Sequence, residues 1–237
     1  MSALAAEPTP IPGDIDLSAV GALLADASRA RVLLALGDGR SLCASMLAGE
    51  AGVSASTISS HLSKLIDAGW LSCEIRGRYR YYRIAGPAVA EAIETLARLA
   101  PPAPVRSLRE GTKAHAVRRA RRCYDHLAGK VGVALADRLV ACGYAVPDDD
   151  GLTLTVSGRR AFAGLAVELP ASDHMRGCVD WTEQRHHVGG AHGRAILARL
   201  VDLGWLRRSP SNRAMQITDA GSRGLRDHFG VDVTAFG

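Results

Sequence analysis

The chain has 237 residues and a mass of 25.0 kDa, enough for one large domain or two ordinary ones. A net charge of +5 and a pI of about 9.2 suit a polyanionic partner, and a composition 47% hydrophobic but only 5% aromatic calls for a core of Ala, Leu and Val. Five cysteines at irregular positions argue against a secreted disulfide framework; with no apolar run that could span a bilayer and no signal-peptide pattern, a cytoplasmic protein without a membrane partner is expected.

Residues 1–13, with Pro8, Pro10 and Pro12 and no periodic pattern, read as a flexible arm. Asp16 can cap a first helix through Ala25, with Leu17, Val20, Leu23 and Leu24 on one side, and Ser28 a second through Leu36, broken by Gly37-Asp38-Gly39.

The next stretch organises the half around it. Met46–Ala51 predicts a short helix, Gly52-Val53-Ser54 a tight turn, and Ala55–Asp67 a second helix with Ser54 as its N-cap. Val53 and Ile58 are placed for a hydrophobic staple that fixes the angle between the two helices. Ile58, Leu62, Leu65 and Ile66 form an apolar stripe, while Ser56, Thr57, Ser60, Ser63 and Lys64 make a polar face with no carboxylate before Asp67. Such a face can approach the floor of a DNA major groove.

Gly69 ends that helix. Trp70–Ile75 and Arg78–Ile84 read as two strands joined at Arg76-Gly77, a hairpin with arginines around its tip and interleaved tyrosines that can lay guanidinium groups on phosphates. The plain alternative is cross-strand packing and a solvated edge. Helix-turn-helix followed by a basic wing favours double-stranded DNA, with Ser54, Ser56, Thr57, Ser60, His61, Ser63, Lys64, Arg76, Arg78 and Arg80 as the contact residues. A helix at Pro87–Ala100 carries Val89, Ile93, Leu96 and Leu99. Pro101-Pro102-Ala103-Pro104 then stops it, dividing a winged helix-turn-helix domain at 14–104 from a C-terminal domain at 105–237.

The run Leu24-Ala25-Asp26-Ala27-Ser28-Arg29-Ala30-Arg31-Val32-Leu33, the run Ala51–Leu62, Gly69-Trp70-Leu71 and the Arg/Tyr wing resemble the ArsR/SmtB family of bacterial winged-helix repressors. The resemblance covers about Asp16 to Ala100. It implies a homodimer paired through Asp16–Ala25 and Pro87–Ala100, two recognition helices on a palindromic operator, and release of DNA when an inducer binds. The family's metal sites do not carry over. Cys43-Ala44-Ser45 keeps one thiol of a Cys-x-Cys pair, and Ala88–Ala100 has no histidine. Cys43 and Cys73 read as small buried packing residues.

The second half opens with a basic stretch, Arg106, Arg109, Lys113, Arg118, Arg119, Arg121 and Arg122, read either as a solvated helix face or as a contact to DNA flanks. Val117, Ala120, Tyr124, Leu127 and Val131 continue it as one helix. Leu65–Leu71 is echoed at Leu200–Leu206 and more loosely at Leu139–Ala145, each ending in Gly-aromatic before a short strand. The expected fold is therefore mainly α with small β wings: a winged helix-turn-helix plus a helical C-terminal domain with winged-helix-like units. Its Val146–Gly151 turn is acidic and turned away from DNA, whereas Arg207–Arg213 is basic and available to it.

Histidine and cysteine concentrate in this half. Cys123 and His126, three apart on the expected helix, share a face, and His174, Cys178, Asp180, Glu183, His186, His187 and His192 follow. Three effectors stay open. Cys123, His126, Cys178, His186 and His187 could hold zinc or another transition metal. Cys123, its thiolate favoured by Arg119, Arg121 and Arg122, could pair with Cys178 as a redox switch. Trp181, Tyr124 and Tyr144 could wall a small-molecule pocket anchored by Arg185 or His186, although core packing explains Trp181 as well. The reading from another class is a Cys/His-dependent enzyme fused to a winged helix; no phosphate loop, nucleophile elbow or acid dyad supports it, so a non-enzyme is expected.

Overall fold

The computed structural model describes residues 15–101, 104–105 and 107–236. The arm expected at 1–13, together with Pro102, Ala103 and Arg106, lies outside the described residues. Two apolar clusters organise the remainder, one built from residues between Val32 and Ile93 and the other from residues between Ala120 and Val233.

In the first, α1 (Leu17–Leu24) starts at Asp16, whose carboxylate accepts from the backbone N–H groups of Ser18 and Ala19 at 2.9 and 3.2 Å. Asp26 rather than Ser28 caps α2 (Ala27–Leu36), accepting from the N–H groups of Ser28 and Arg29 at 2.8 and 3.0 Å. A carboxylate at this end also meets the positive pole of the helix dipole, an advantage a hydroxyl lacks. Arg29 closes the corner by donating to the carbonyls of Ala22 and Leu23 at the end of α1. After β1 (Leu42–Cys43), α3 (Ala44–Ala51) begins earlier than expected and ends at Gly52, whose φ of +71° is the left-handed conformation a tight helix-to-turn exit requires. Then α4 (Ala55–Asp67) starts at Ser54, which accepts from the N–H of Thr57 at 3.3 Å. The wing is β2 (Leu71–Arg76) against β3 (Tyr79–Ile84), in register from Leu71 opposite Ile84 to Arg76 opposite Tyr79, with β1 on the far side of β3. Pro87 opens α5 (Pro87–Leu99), where its missing N–H costs nothing. Ile58, Leu62 and Leu65 of α4 are buried with Leu33, Leu36, Leu47, Leu71 and Ile84, so one winged helix-turn-helix core holds the recognition helix.

The second half corrects the expectation of a helical domain. After α6 (Leu108–Arg119) come β4 (Arg121–Cys123), β5 (His126–Ala128), α7 (Lys130–Ala141), β6 (Ala145–Asp148), β7 (Gly151–Leu154) and α8 (Val156–Gly164). The same order repeats as β8 (His174–Val179), β9 (His186–Val188), α9 (Gly190–Asp202), β10 (Leu206–Arg208), β11 (Met215–Ile217) and α10 (Asp219–Phe229), closed by a 3-10 turn at Val233–Phe236. Strands β6, β7, β8 and β9 form one antiparallel sheet in that order. The helix expected across Cys123 and Val131 does not form, because long-range bonds claim this backbone. Met215 N–H donates to Ala120 C=O at 2.8 Å, Arg122 N–H donates to Arg213 C=O at 2.9 Å, and Arg121 bridges Ala214. The chain reverses over Tyr124-Asp125, with Tyr124 at a φ of +53°.

Each repeat is thus hairpin, helix, hairpin, helix. Thr155 and Thr218 cap the closing helices alike, accepting from Gly158 N–H at 3.1 Å and Gly221 N–H at 2.9 Å while donating to the carbonyls of Gly143 and Gly204, both at 2.8 Å. The Gly-aromatic echo noted in the sequence falls at matching places in the two repeats, at Gly143-Tyr144 and Gly204-Trp205 between α7 and β6 and between α9 and β10. Phe162 and Phe229, from the two closing helices, meet in the shared core with ring centroids 5.5 Å apart.

The two halves touch at defined points. Tyr124 N–H donates to Gly37 C=O at 2.8 Å, and its ring packs on the winged-helix core. Arg213, at the tip of β10–β11, pairs with Glu94 of α5 at 2.9 Å, both side chains nearly buried. The basic tip read as available to DNA therefore spends Arg213 on the interior. Arg121 of the basic stretch is wholly buried and Arg119 donates to Val233 C=O at 3.2 Å, while Arg109 and Arg118 stay exposed. No helix among the described residues is long and apolar enough to cross a membrane.

Candidate nucleic-acid interface and candidate metal centre

The outer face of α4 is polar because its apolar residues are drawn into the core at helical spacing. Ser54, Ser56, Thr57, Ser60, Ser63 and Lys64 are exposed on it, and Ser54 Oγ lies 2.9 Å from Thr57 Oγ1. His61 differs from the expectation. It is buried on the inner side, its ring 3.5 Å from Arg29 Nη1 and 3.7 Å from Asp26, because α4 turns that position towards α2. Arg76, Arg78 and Arg80 are exposed on the wing. Arg76 pairs with Glu74 at 2.8 Å, a solvated pair worth little by itself, and Arg78 lies over the Tyr79 ring at 5.1 Å.

A second constellation lies between the two C-terminal repeats. On β4–β5, Cys123 and His126 are cross-strand partners; on β8–β9, Cys178 and His187 are. Cross-strand partners project to the same face, so each hairpin presents one thiol and one imidazole, and the two faces meet. One ligand atom from each of the four residues lies within 4.8 Å of the others. Cys123, His126 and His187 are buried and Cys178 is half-buried. The two Nε2 atoms stand 3.1 Å apart, while His126 Nδ1 is 3.1 Å from Asp125 and His187 Nδ1 is 3.6 Å from Asp180.

The electrostatics follow from these contacts. Burial draws His126 down, but hydrogen bonds with Asp125 and Cys178 outweigh it and push the imidazole up to about 9. The Cys123 hydrogen bond, followed by those of His126 and His187, holds Cys178 far below the usual thiol value against its burial. The same bond, together with burial, pushes Cys123 well up. The thiolate character expected at Cys123 thus belongs to Cys178, since Arg121 faces Asp180 and Arg119 faces a carbonyl. Burial acts to raise Asp180, but the charge of Arg121 and hydrogen bonds from Thr182 and Gly129 hold it well below the carboxylate range.

Other expected residues fall elsewhere. His186 is exposed opposite Val179, His174 bridges Asp148 and Asp150 at 3.3 and 3.1 Å, and His192 donates to Ser172 C=O at 2.9 Å. Trp181 does not line a pocket with Tyr124 and Tyr144: Arg121 and Arg213 lie over its ring at 4.7 and 5.4 Å, while Tyr124 docks on the winged helix and Tyr144 packs in the other core. Cys43 is only half-buried, 3.2 Å from Ser45 Oγ, and Cys73 is exposed, so neither is the buried packing residue expected. Sequence reasoning passed over Asp125 and Glu94, and it assigned Arg121 and Arg213 to basic surfaces, whereas they pair with Asp180 and Glu94 in the interior. The signal for the first was present, since Cys123-Tyr124-Asp125 and Cys178-Val179-Asp180 repeat Cys-x-Asp, each with a histidine following.

Fold and surface together define a winged helix-turn-helix transcriptional regulator with an added C-terminal half. Residues 26–72 match the family described as bacterial regulatory protein, arsR family. Over 223 residues the chain is 39% identical to YdfF of Bacillus subtilis (strain 168), named as an uncharacterized HTH-type transcriptional regulator, covering 92% of this chain and 99% of that protein. The chain belongs to this family of arsR-type HTH transcriptional regulators. Among solved structures it is similar to reduced HlyU from Vibrio cholerae N16961 (24% identity, 36% of this chain and 90% of that one, TM-score 0.33). It is also similar to the cadmium metal-sensor CMTR from Mycobacterium tuberculosis (28% identity, 38% of this chain and 98% of that one, TM-score 0.31).

Proposed function

We propose that the protein is a repressor that binds a palindromic operator as a homodimer, with 14–104 as its DNA-binding and dimerisation unit and 105–237 as the unit through which an effector sets DNA affinity. The observation that carries the reading is the exposed hydroxyl and lysine face of α4 beside the exposed arginines of the β2–β3 wing. Serine and threonine hydroxyls can bond base edges, and guanidinium groups neutralise phosphates. Pairing is supported by apolar side chains that one chain leaves in water on α1 and α5: Leu17 (74% exposed) and Leu99 (80%). These are the two segments through which the resemblance implies dimer contact.

The test is binding of fluorescent duplexes across a salt series. Replacing Arg76, Arg78 and Arg80 together by alanine weakens binding to all duplexes alike and flattens the salt dependence by about 0.9 in log–log slope for each phosphate no longer neutralised. Thr57→Ala instead changes the preferred sequence, at about 1–3 kcal/mol of discrimination per base contact. A triple variant that binds a generic duplex as tightly as the parent would overturn the wing assignment.

A further inference from the structure

The buried cysteine–histidine cluster has the arrangement of a metal centre more than that of a packed core. When the proton of each imidazole sits on Nδ1, donated to Asp125 at 3.1 Å by His126 and facing Asp180 at 3.6 Å without a hydrogen bond in His187, the Nε2 lone pairs of both rings face one another at 3.1 Å. Two buried lone pairs at that distance repel unless a proton or a cation sits between them. A carboxylate behind a histidine whose other nitrogen faces the centre is the usual outer-shell support of a metal ligand.

The packing fixes the rings in this attitude. A Cβ on Gly193 would come within 2.3 Å of Val188 C=O and 2.8 Å of His126 Cβ, and one on Gly132 within 2.6 Å of Leu127 C=O, so glycines at matching places in α9 and α7 let each helix close on the strand residue that follows its histidine. Gly189 likewise faces Cys178 Cβ at 3.1 Å and His126 Nε2 at 3.5 Å. The two repeats also hold each other. Asp180 of the second accepts from Gly129 N–H of the first at 2.7 Å, and Arg194 of the second donates to Asp125 of the first at 2.7 Å.

We propose that Cys123, His126, Cys178 and His187 bind one zinc(II)-class ion in a closed tetrahedral site between the repeats, and that this ion is the effector of the C-terminal half. The second clause rests on the reading of the protein as a DNA-binding regulator; the first does not. Two sulfur and two imidazole donors suit zinc and its thiophilic neighbours, and the absence of an oxygen donor from the set disfavours magnesium and calcium. Metal–sulfur bonds of about 2.3 Å and metal–nitrogen bonds of about 2.0–2.1 Å give a tetrahedron with edges of about 3.3–3.8 Å. Four donors within 4.8 Å of one another reach that by drawing in about an ångström.

Control of DNA binding follows two routes from the donors. Cys123 and His126 flank the turn whose Tyr124 is bonded to Gly37, so drawing both onto an ion sets the turn that docks on the DNA-binding half. Asp180 behind His187 pairs with Arg121, which lies on Trp181 beside Arg213, and Arg213 holds Glu94 of α5.

The test uses the full-length protein stripped of metal with a chelator, with zinc(II) and cobalt(II) chloride as probes. One ion per chain binds, cobalt shows the absorption of a tetrahedral thiolate complex, and zinc displaces it. In the unsubstituted protein, zinc shields Cys178 from alkylation while Cys43, Cys73 and Cys142 still react, a readout independent of whether any variant folds. Cys178→Ser and His187→Gln abolish the cobalt spectrum, and His186→Ala retains it. Zinc then changes affinity for a duplex selected from a random pool by the full-length protein by about tenfold, in the usual range of allosteric coupling. Failure of zinc to bind or to shield Cys178 overturns the site, even if DNA binding is intact. Zinc bound with every signature but no change in DNA affinity overturns the effector clause. A Cys123–Cys178 disulfide that releases DNA whether or not zinc is present also overturns it, in favour of a redox switch. A protein that binds no duplex with or without metal sinks the regulator reading and the effector clause together, and leaves the site standing.

Discussion

Asp180 lies 2.9 Å from Arg121, and neither side chain has any surface in water. Burying a guanidinium away from water is costly, and the carboxylate beside it is what makes its burial tolerable. Asp180→Ala therefore strands a buried cation, and a loss of about 3–5 kcal/mol is expected in urea unfolding at neutral pH. An unchanged midpoint would show that water or another group compensates Arg121.

The same pair gives a pH dependence. Asp180 has its folded value held below the ordinary 3.8, so the unfolded chain binds its proton first as pH falls. Its stabilisation is complete above that ordinary value and is lost as pH drops through it towards the folded value. Parent protein should therefore lose stability on the acid side more steeply than Asp180→Asn, measured as unfolding midpoints from neutral pH downwards.

Asp125 supports the proposed centre through His126 without being a donor in it. Asp125→Asn keeps the size of the side chain and removes its charge. Competition with a zinc chelator should show affinity weaker by about 10–100-fold with the cobalt spectrum retained. Loss of the spectrum would instead make Asp125 part of the coordination itself.

Gly39 tests transmission between the halves. Its φ is +71°, and a Cβ there would stand 2.6 Å from the carbonyl oxygen of Tyr124. Gly39→Ala should cost about 1 kcal/mol or more in stability from backbone strain and push the β4–β5 turn off the winged helix. Zinc binding should survive while the zinc-dependent change in DNA affinity shrinks. A full response in this variant would exclude the Tyr124 contact as a route.

Gly158 and Gly221 occupy matching places in the two repeats, each with its Cα facing the backbone carbonyl of the aromatic residue before the hairpin, Tyr144 or Trp205. Backbone cannot give as a side chain can, so Gly158→Ala and Gly221→Ala should each destabilise by about 1–3 kcal/mol. Gly21→Ala in α1 meets nothing and should stabilise by up to about 1 kcal/mol. Thermal melts of the three variants give the comparison.

Much of the first half was legible from residues alone because its determinants are local. The Ser54 cap, the Ile58, Leu62 and Leu65 stripe, the glycines at 52 and 69 and the Arg/Tyr alternation each act within a few residues, and the wing closes on itself. His61 was misplaced because it sits between buried and exposed positions of α4, and only the approach of Arg29 and Asp26 from α2 settles which side it takes.

In the second half the residues alone determined which chemistry was available: thiols, imidazoles and carboxylates in two clusters, and a Gly-aromatic echo between repeats. They predicted that Cys123 and His126 meet across a helical turn, although a spacing of three serves a hairpin equally well. Tertiary structure decided it, because backbone bonds from residues 213 and 215 hold Arg122 and Ala120 in extended conformation, and no local pattern reports a partner some ninety residues away. Strand pairing, here between β8 and β9, also chose His187 over its neighbour His186. Alternate residues of a strand face opposite sides, and only the register of β8 against β9 says which side is the inside.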